Sequence, residues 1–345
     1  MKNGILPTLA STALLLACGS IGADTISAEQ PAPARPDQPL RPLSGQAIVS
    51  YNVENLFDTL DDPAIDDRDF LPSGELHWNT GRYRHKLAQL ADAISWTAPE
   101  LPPIVGLVEV ENRTVVEDLA RTAVLRPAGY QVVHFDSPDE RGIDVALLVS
   151  PDHATVLKKE ALNVPLPDND RTRDVLYAEL ELAKGERLHV FVDHWPSRRD
   201  GADESAYKRR AAADVVRTQV DGILRKDPEA LIVIMGDFND GPLDPSIQQG
   251  LKATCSLTEG DLHALMCIDQ PQGHGSYNYQ GDWDYLDQFI VSSTMLDRTR
   301  EAKSFYDRRL LFKHPKFGMS PDRTYSRTDY KGGFSDHLPV VLRLR

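Results

Sequence analysis

The chain has 345 residues, 41% of them hydrophobic, and a formal net charge of -14. That length holds one large domain or two small ones, and the apolar share is that of a globular protein rather than a membrane bundle. An acidic chain gains little from counterion release on nucleic acid, which excludes non-specific coating of DNA but not cutting at a local metal site.

Met1-Lys2-Asn3 is a short basic start, and residues 5–17 are apolar. The run is too short to span a bilayer and has the make-up of a signal-peptide core, so residues 1–23 are expected to direct export. Leu15-Leu16-Ala17-Cys18 reads as a bacterial lipobox, which makes Cys18 a lipid anchor and the protein a periplasmic or outer-membrane lipoprotein. The alternative cut after Ala23 gives a soluble secreted protein. Residues 24–45, rich in Pro and polar side chains, read as a tether.

From residue 46, apolar runs mark strands at 47–53, 104–110, 130–135, 145–149, 175–182, 188–193, 230–235, 285–291 and 338–344. Many are near-continuous, as in strands buried on both faces. Helical spacing marks 84–96 through Leu87, Leu90, Ala91 and Ile94, then 113–124, and 204–224 through Ala212, Val216, Val220 and Ile223. Several strands follow one another without a helix between them. That excludes a purely alternating doubly wound sheet and favours an α/β fold of two packed sheets with helices outside. No boundary or repeat is visible after residue 46, so 46–345 reads as one domain. Residues 58–82 and 303–335 read as long irregular segments. Cys255 and Cys267 are expected to form a disulfide in an oxidising compartment, with two free buried thiols as the alternative.

Polar residues recur at the ends of the apolar runs. GDFND, at 236–240, follows a buried strand; Gly236 allows a sharp turn, and Asp237 and Asn239, two apart, face one way if the chain stays extended. A carboxylate and an amide oxygen suit a hard cation or a polarised phosphate, although both residues are also turn formers. Glu109 ends the run IVGLV, where a carboxylate is costly unless paired or metal-bound, and Glu111 competes for that role. Asn112 reads as a helix cap. Asn52 lies inside a buried run and needs partners, with Glu54 and Asn55 as alternatives. His194 and His337 flank strands, and Asp237, Asp287 and Asp336 are available to orient them, Asp287 being the candidate to hold His337. No Gly-x-Ser-x-Gly elbow is present. The set points to metal-assisted attack by water instead of a Ser or Cys nucleophile. Among arginines, Arg198 and Arg173 are the candidate phosphate contacts, followed by Arg141. Lys208, Arg209 and Arg210 read as a solvated helix face, and acidic loop 61–69 as solvated surface with Ca²⁺ a lesser candidate.

The motifs NVENLF, GLVEVEN, RGIDVALL, DHWPSR, GDFND, YLDQFIVS and SDHLPV occur in an order that resembles the endonuclease/exonuclease/phosphatase superfamily, the DNase I-like fold, over about residues 46–345. GDFND with the terminal SDH is the most specific part. The resemblance implies a four-layer α/β/β/α sandwich of two mixed, mostly antiparallel sheets and Mg²⁺- or Mn²⁺-dependent phosphoester hydrolysis. By position it implies metal ligation by Asn52 and Glu109 with Asp336 near the same ion. Asp237 and Asn239 would position water and phosphate. His337, paired with Asp287, would be general base or phosphate contact, and His194 would contact the phosphate or aid the leaving group.

The expectation is therefore an exported metal-dependent phosphodiesterase, foremost a nuclease that binds DNA or RNA locally at the metal site as a monomer. A phosphohydrolase of lipid head groups or small phosphate esters, similar to a sphingomyelinase or inositol phosphatase, is the alternative. A non-catalytic binding protein on the same fold is the third reading.

Overall fold

The computed structural model of the protein describes Met1 and residues 38–199, 201–267 and 274–345. The expected signal peptide with Cys18, and the expected tether up to residue 37, lie outside the described residues. Residues 38–45 are not all loose: Leu43 is buried, and the Arg41 backbone N–H donates to Asp152 O at 2.7 Å.

In chain order the strands are β1 (Ala47–Leu56), β2 (Ile104–Val110), β3 (Gln131–His134), β4 (Asp144–Val149), β5 (Thr155–Leu162), β6 (Val175–Glu181), β7 (Arg187–His194), β8 (Leu231–Asp237), β9 (Ala253–Thr254) and β10 (Leu262–Ala264). They continue with β11 (Tyr277–Tyr279), β12 (Asp282–Asp284), β13 (Asp287–Ser292), β14 (Thr299–Ser304), β15 (Leu311–His314), β16 (Gly318–Pro321), β17 (Tyr325–Ser326), β18 (Asp329–Tyr330) and β19 (Val340–Leu344). The α-helices are α1 (Thr80–Trp96), α2 (Arg113–Ala120), α3 (Ala206–Lys226) and α4 (Ser293–Arg298).

One sheet has six strands in the order β14-β19-β1-β2-β4-β3, and the other seven in the order β5-β6-β7-β8-β13-β10-β9. Each is mostly antiparallel with a parallel pair at its centre, β1 with β2 and β7 with β8. Three apolar clusters define the layers. Alternate residues of β1 (Val49, Tyr51, Val53) pack under Leu87, Leu90 and Ile94 of α1 and Val115 and Leu119 of α2. The opposite faces of both sheets meet through Ile48, Val108, Leu147, Val190, Met235 and Phe289. Phe191, Ile232 and Ile234 pack under Ala212, Val216 and Val220 of α3. Each such side chain removed from water contributes about 1.5–3 kcal/mol. The result is the expected four-layer α/β/β/α sandwich.

The edges of the elements differ from the sequence reading. α1 begins at Thr80 because Asn79 caps it, accepting from Gly81 N and Arg82 N. Asn112 caps α2 as expected, through Val115 N at 3.1 Å, but that helix ends at Ala120 rather than 124. β5 escaped prediction because TVLKKEAL is an edge strand with few buried positions. The segment 303–335 is not irregular throughout, since it carries the hairpins β15–β16 and β17–β18. Cys255 and Cys267 are joined in a disulfide with Cα atoms 5.6 Å apart. Among the described residues no helix is long and apolar enough to cross a membrane.

Candidate active site

Asp237 ends β8. Its ladder partners are His194 at the end of β7 and Asp287 at the start of β13, so backbone pairing alone sets the three side by side. Gly236 permits this close spacing: its φ is +141°, and a Cβ there would lie 1.9 Å from the carbonyl oxygen of Asp193. Asn52 arrives from the other sheet. It is fully buried, and its Nδ2 donates to Asp237 Oδ2 at 3.0 Å, linking the two sheets across their gap. Asp237 Oδ1 accepts from Asn239 N at 2.9 Å.

His337 stands just ahead of β19, where it bridges to Tyr277, whose ring centroid lies 4.8 Å from the imidazole. Its Nδ1 lies 2.6 Å from Asp287 Oδ2 and its Nε2 3.8 Å from Asp237 Oδ2. His194 Nε2 lies 4.0 Å from Asp237 Oδ2 and 3.9 Å from Glu109 Oε1. Asp237 Oδ2 is thus the common neighbour of one amide and two imidazoles. One ligand atom from each of Asp237, Asp287 and His337 falls within a 4.8 Å span.

The surroundings drive these groups apart in charge. Burial, then the charge of Asp287, raises Asp237 to about 7. Burial opposes charge on His337, but the carboxylates of Asp287, Asp237 and Asp336 outweigh it and hold the imidazole protonated well above its usual range. His194 goes the other way: burial, then Arg173, Arg141 and His337, keep it neutral. Its Nδ1 and Asp287 Oδ1 are buried without a hydrogen-bond partner.

The oxygen-rich side of the site lies where β1 and β2 bulge. Pairing shifts register between Asn52 and Leu56 and between Val108 and Val110. Glu54, Asn55 and Glu109 have φ of 51°, 54° and 68°. Non-glycine residues in this left-handed region are strained and cluster at functional sites. The bulge breaks the parity expected for Glu109 and Glu111. Glu109 Oε2 accepts from Asn55 N at 3.0 Å, whereas Glu111 Oε2 turns to Asp58 N at 2.7 Å. Asn239, at φ 50°, is likewise not extended, and its Nδ2 donates to Trp195 O at 2.9 Å. Asp336 is half-buried with Arg323 Nη2 at 4.0 Å.

Arg198 and Arg173 both have protein partners. Arg198 bonds Asn239 O, Asp240 Oδ1 at 2.9 Å and Asp244 Oδ2 at 2.7 Å, tying down the turn after Asp237. Arg173 is buried and bonds Asp139 Oδ2 at 2.8 Å, His194 O at 3.2 Å and Trp195 O at 2.8 Å. In this structure they position strand ends. Arg141 is partly exposed beside Asp139.

The sequence reading missed Lys86 and left Glu54 as an alternative. Lys86 is buried under the site, donates to Thr324 Oγ1 and to Phe334 O at 2.6 Å, and lies 4.0 Å from Glu54 Oε2. Burial lowers its pKa to about 8, against the opposing charges of Glu54, Asp336 and Glu109. Burial and then Asp336 raise Glu54 to about 7. The signal was available: Lys86 sits within the apolar stripe of α1, between Tyr83 and Leu90.

The sequence profile described as the Endonuclease/Exonuclease/phosphatase family matches residues 47–345. No curated protein matches the chain by sequence. Solved structures that share the fold include the following three. A humanized D. rerio TDP2 is 16% identical, with a TM-score of 0.53 over 87% of this chain and 98% of its own. A mannosyl-6-phosphatase from Bacteroides thetaiotaomicron VPI-5482 is 16% identical, with a TM-score of 0.55 over 87% of this chain and 99% of its own. The human Nocturnin catalytic domain with bound sulfate is 16% identical, with a TM-score of 0.54 over 89% and 96%. At such identities the likeness speaks for the fold alone, but the profile spans nearly every strand and each residue of the site just described. The chain belongs to the endonuclease/exonuclease/phosphatase family.

Proposed function

We propose that this hydrolase is a divalent-metal-dependent phosphodiesterase acting on DNA or RNA outside the cytoplasm. The export part of the reading rests on the signal-like residues 1–23. The observation that carries the chemistry is the environment of Asp237 Oδ2, which is buried and shared by Asn52 Nδ2 at 3.0 Å, His337 Nε2 at 3.8 Å and His194 Nε2 at 4.0 Å.

The residues present fit a hard divalent cation. Asn52, Glu109 and Asp336 offer oxygens, and Glu54, raised by burial first and then by the charge of Asp336, adds a further carboxylate beside them. The strained backbone at Glu109 agrees with a ligand role. When bound, Mg²⁺ or Mn²⁺ held by Asn52, Glu109 and Asp336 would supply Lewis-acid stabilisation of the charge that develops on the phosphate. Asp237, at about 7, accepts a proton from the attacking water at Oδ2, while Asn52 Nδ2 and Asn239 N fix its carboxylate. His337, kept charged by Asp287, presents Nε2–H to a phosphate oxygen. Neutral His194 presents Nε2 on the other side of Asp237.

The test is hydrolysis of bis(p-nitrophenyl) phosphate, p-nitrophenyl phosphate, plasmid DNA and RNA in Mg²⁺, Mn²⁺ and EDTA. Metal-dependent cutting of the diester and of nucleic acid is expected. Turnover of the monoester alone would overturn the reading in favour of a phosphatase.

A further inference from the structure

A cavity lies beside the chain that follows β7. It measures about 140 Å³ and lies between residues 171–173, residues 196–199 and the start of α3. Five cations line it: Arg141, Arg171, Arg173, Arg199 and Lys208. Among the described side chains, acidic groups balance only part of that charge. Asp139 meets Arg173 at 2.8 Å and Arg141 at 3.7 Å, and Asp170 meets Lys208 at 2.7 Å. Among the described residues, Arg171 and Arg199 have no carboxylate within 4.0 Å, and both are exposed. Thr172, on the same wall, is 4% exposed, and its buried hydroxyl has no hydrogen-bond partner among the described residues.

The cavity is joined to the site by the backbone. Pro196 and Ser197 line it, and Arg173 reaches from it to the carbonyls of His194 and Trp195. The space is large enough to admit a tetrahedral anion. In a chain of net charge -14, such a concentration of guanidinium groups is a local reversal of sign.

We infer that this cavity is a second anion subsite, which holds a phosphate of the substrate other than the one attacked. The inference rests on the phosphodiesterase reading and narrows it to substrates with at least two phosphates. That second phosphate is either a neighbouring internucleotide phosphate or a terminal monoester.

The test compares thymidylyl-thymidine, its 5′- and 3′-phosphorylated forms and the trinucleoside diphosphate, using full-length protein in Mn²⁺. For the wild type, kcat/KM should rise at least roughly tenfold with the extra phosphate, as expected for one or two charge-assisted contacts. Gain with the trinucleotide alone assigns the strand phosphate, and gain with a terminal phosphate assigns the monoester. In Arg171→Gln/Arg199→Gln the ratio should fall to near one, while Arg187→Gln, at the far end of β7, keeps it. A wild-type ratio near one, or a ratio that the double substitution leaves intact, overturns the subsite. If none of these substrates is cut, the phosphodiesterase reading fails by itself. Calorimetric titration with inorganic phosphate then decides the subsite: binding lost in the double variant supports it, and no binding, or binding unchanged by the substitutions, refutes it.

Discussion

Asp287 Oδ2 lies 2.6 Å from His337 Nδ1, with both side chains buried. The carboxylate overcomes the burial penalty on the imidazolium and keeps His337 charged well above its usual range. A charged imidazole donates and does not accept, so the proposed mechanism gives the phosphate contact to His337 and proton acceptance to Asp237. The resemblance to the family had left both roles open for His337.

Asp287→Asn should therefore bring the His337 titration down, because the negative partner is gone while burial remains. NMR of the imidazole resonances checks this directly. The same substitution should reduce kcat/KM by about 10²–10⁴, the usual worth of a positioned proton-bearing group. An unchanged His337 titration would remove Asp287 as its partner.

Divalent cations should stabilise the fold, since a ligand that binds only the native state adds about 2.7 kcal/mol at a hundred times its Kd. Thermal melts with Mn²⁺ should shift upward in the wild type and much less in Glu109→Gln. Equal shifts in both would place the cation elsewhere.

Asp193 gives a pH-dependent stability. It is fully buried, accepts only from Trp195 Nε1 at 2.8 Å, and leaves Oδ2 without a partner. Burial raises it to about 7, against about 4 in the unfolded chain. A raised folded value means its contribution is fully present below about pH 4 and is lost as the pH climbs through about 7. Asp193→Asn should remove that loss and stabilise the protein at pH 8 relative to pH 5 by on the order of 3 kcal/mol. Urea denaturation of both proteins at the two pH values gives the comparison, and an equal offset at both would contradict it.

Lys86 should be intolerant of single replacement. Lys86→Met leaves Glu54 buried beside Asp336 without its cation and abandons the Phe334 carbonyl. Losing one partner of a buried pair costs about 3–5 kcal/mol. Lys86→Met with Glu54→Gln should recover part of the loss. Additive losses in denaturation of the single and double variants would show that the pair is not coupled.

Much of this was legible in the sequence because strands buried on both faces are written as apolar runs, and polar residues stand out at their ends. Asn52, Glu109, His194, Asp237, Asp287 and His337 were visible for that reason, and the structure brings them to one place. What was not legible depends on backbone that departs from its ideal period. The left-handed turns at Glu109 and Asn239 take the backbone out of the extended form on which side-chain alternation depends. Arg173 and Arg198, expected as phosphate contacts, also hold Asp139 and Asp240, partners 34 and 42 residues away that the sequence does not reveal. Lys86 depends on a partner in a loop 238 residues distant.

The most direct test of the central claim is the rate of Asp237→Asn on bis(p-nitrophenyl) phosphate in Mn²⁺, with circular dichroism to confirm folding. Asn keeps the shape and still accepts from Asn239 N, but it cannot take a proton from water. The account predicts a folded protein with kcat/KM reduced by at least about 100-fold. A folded variant with the wild-type rate would contradict it.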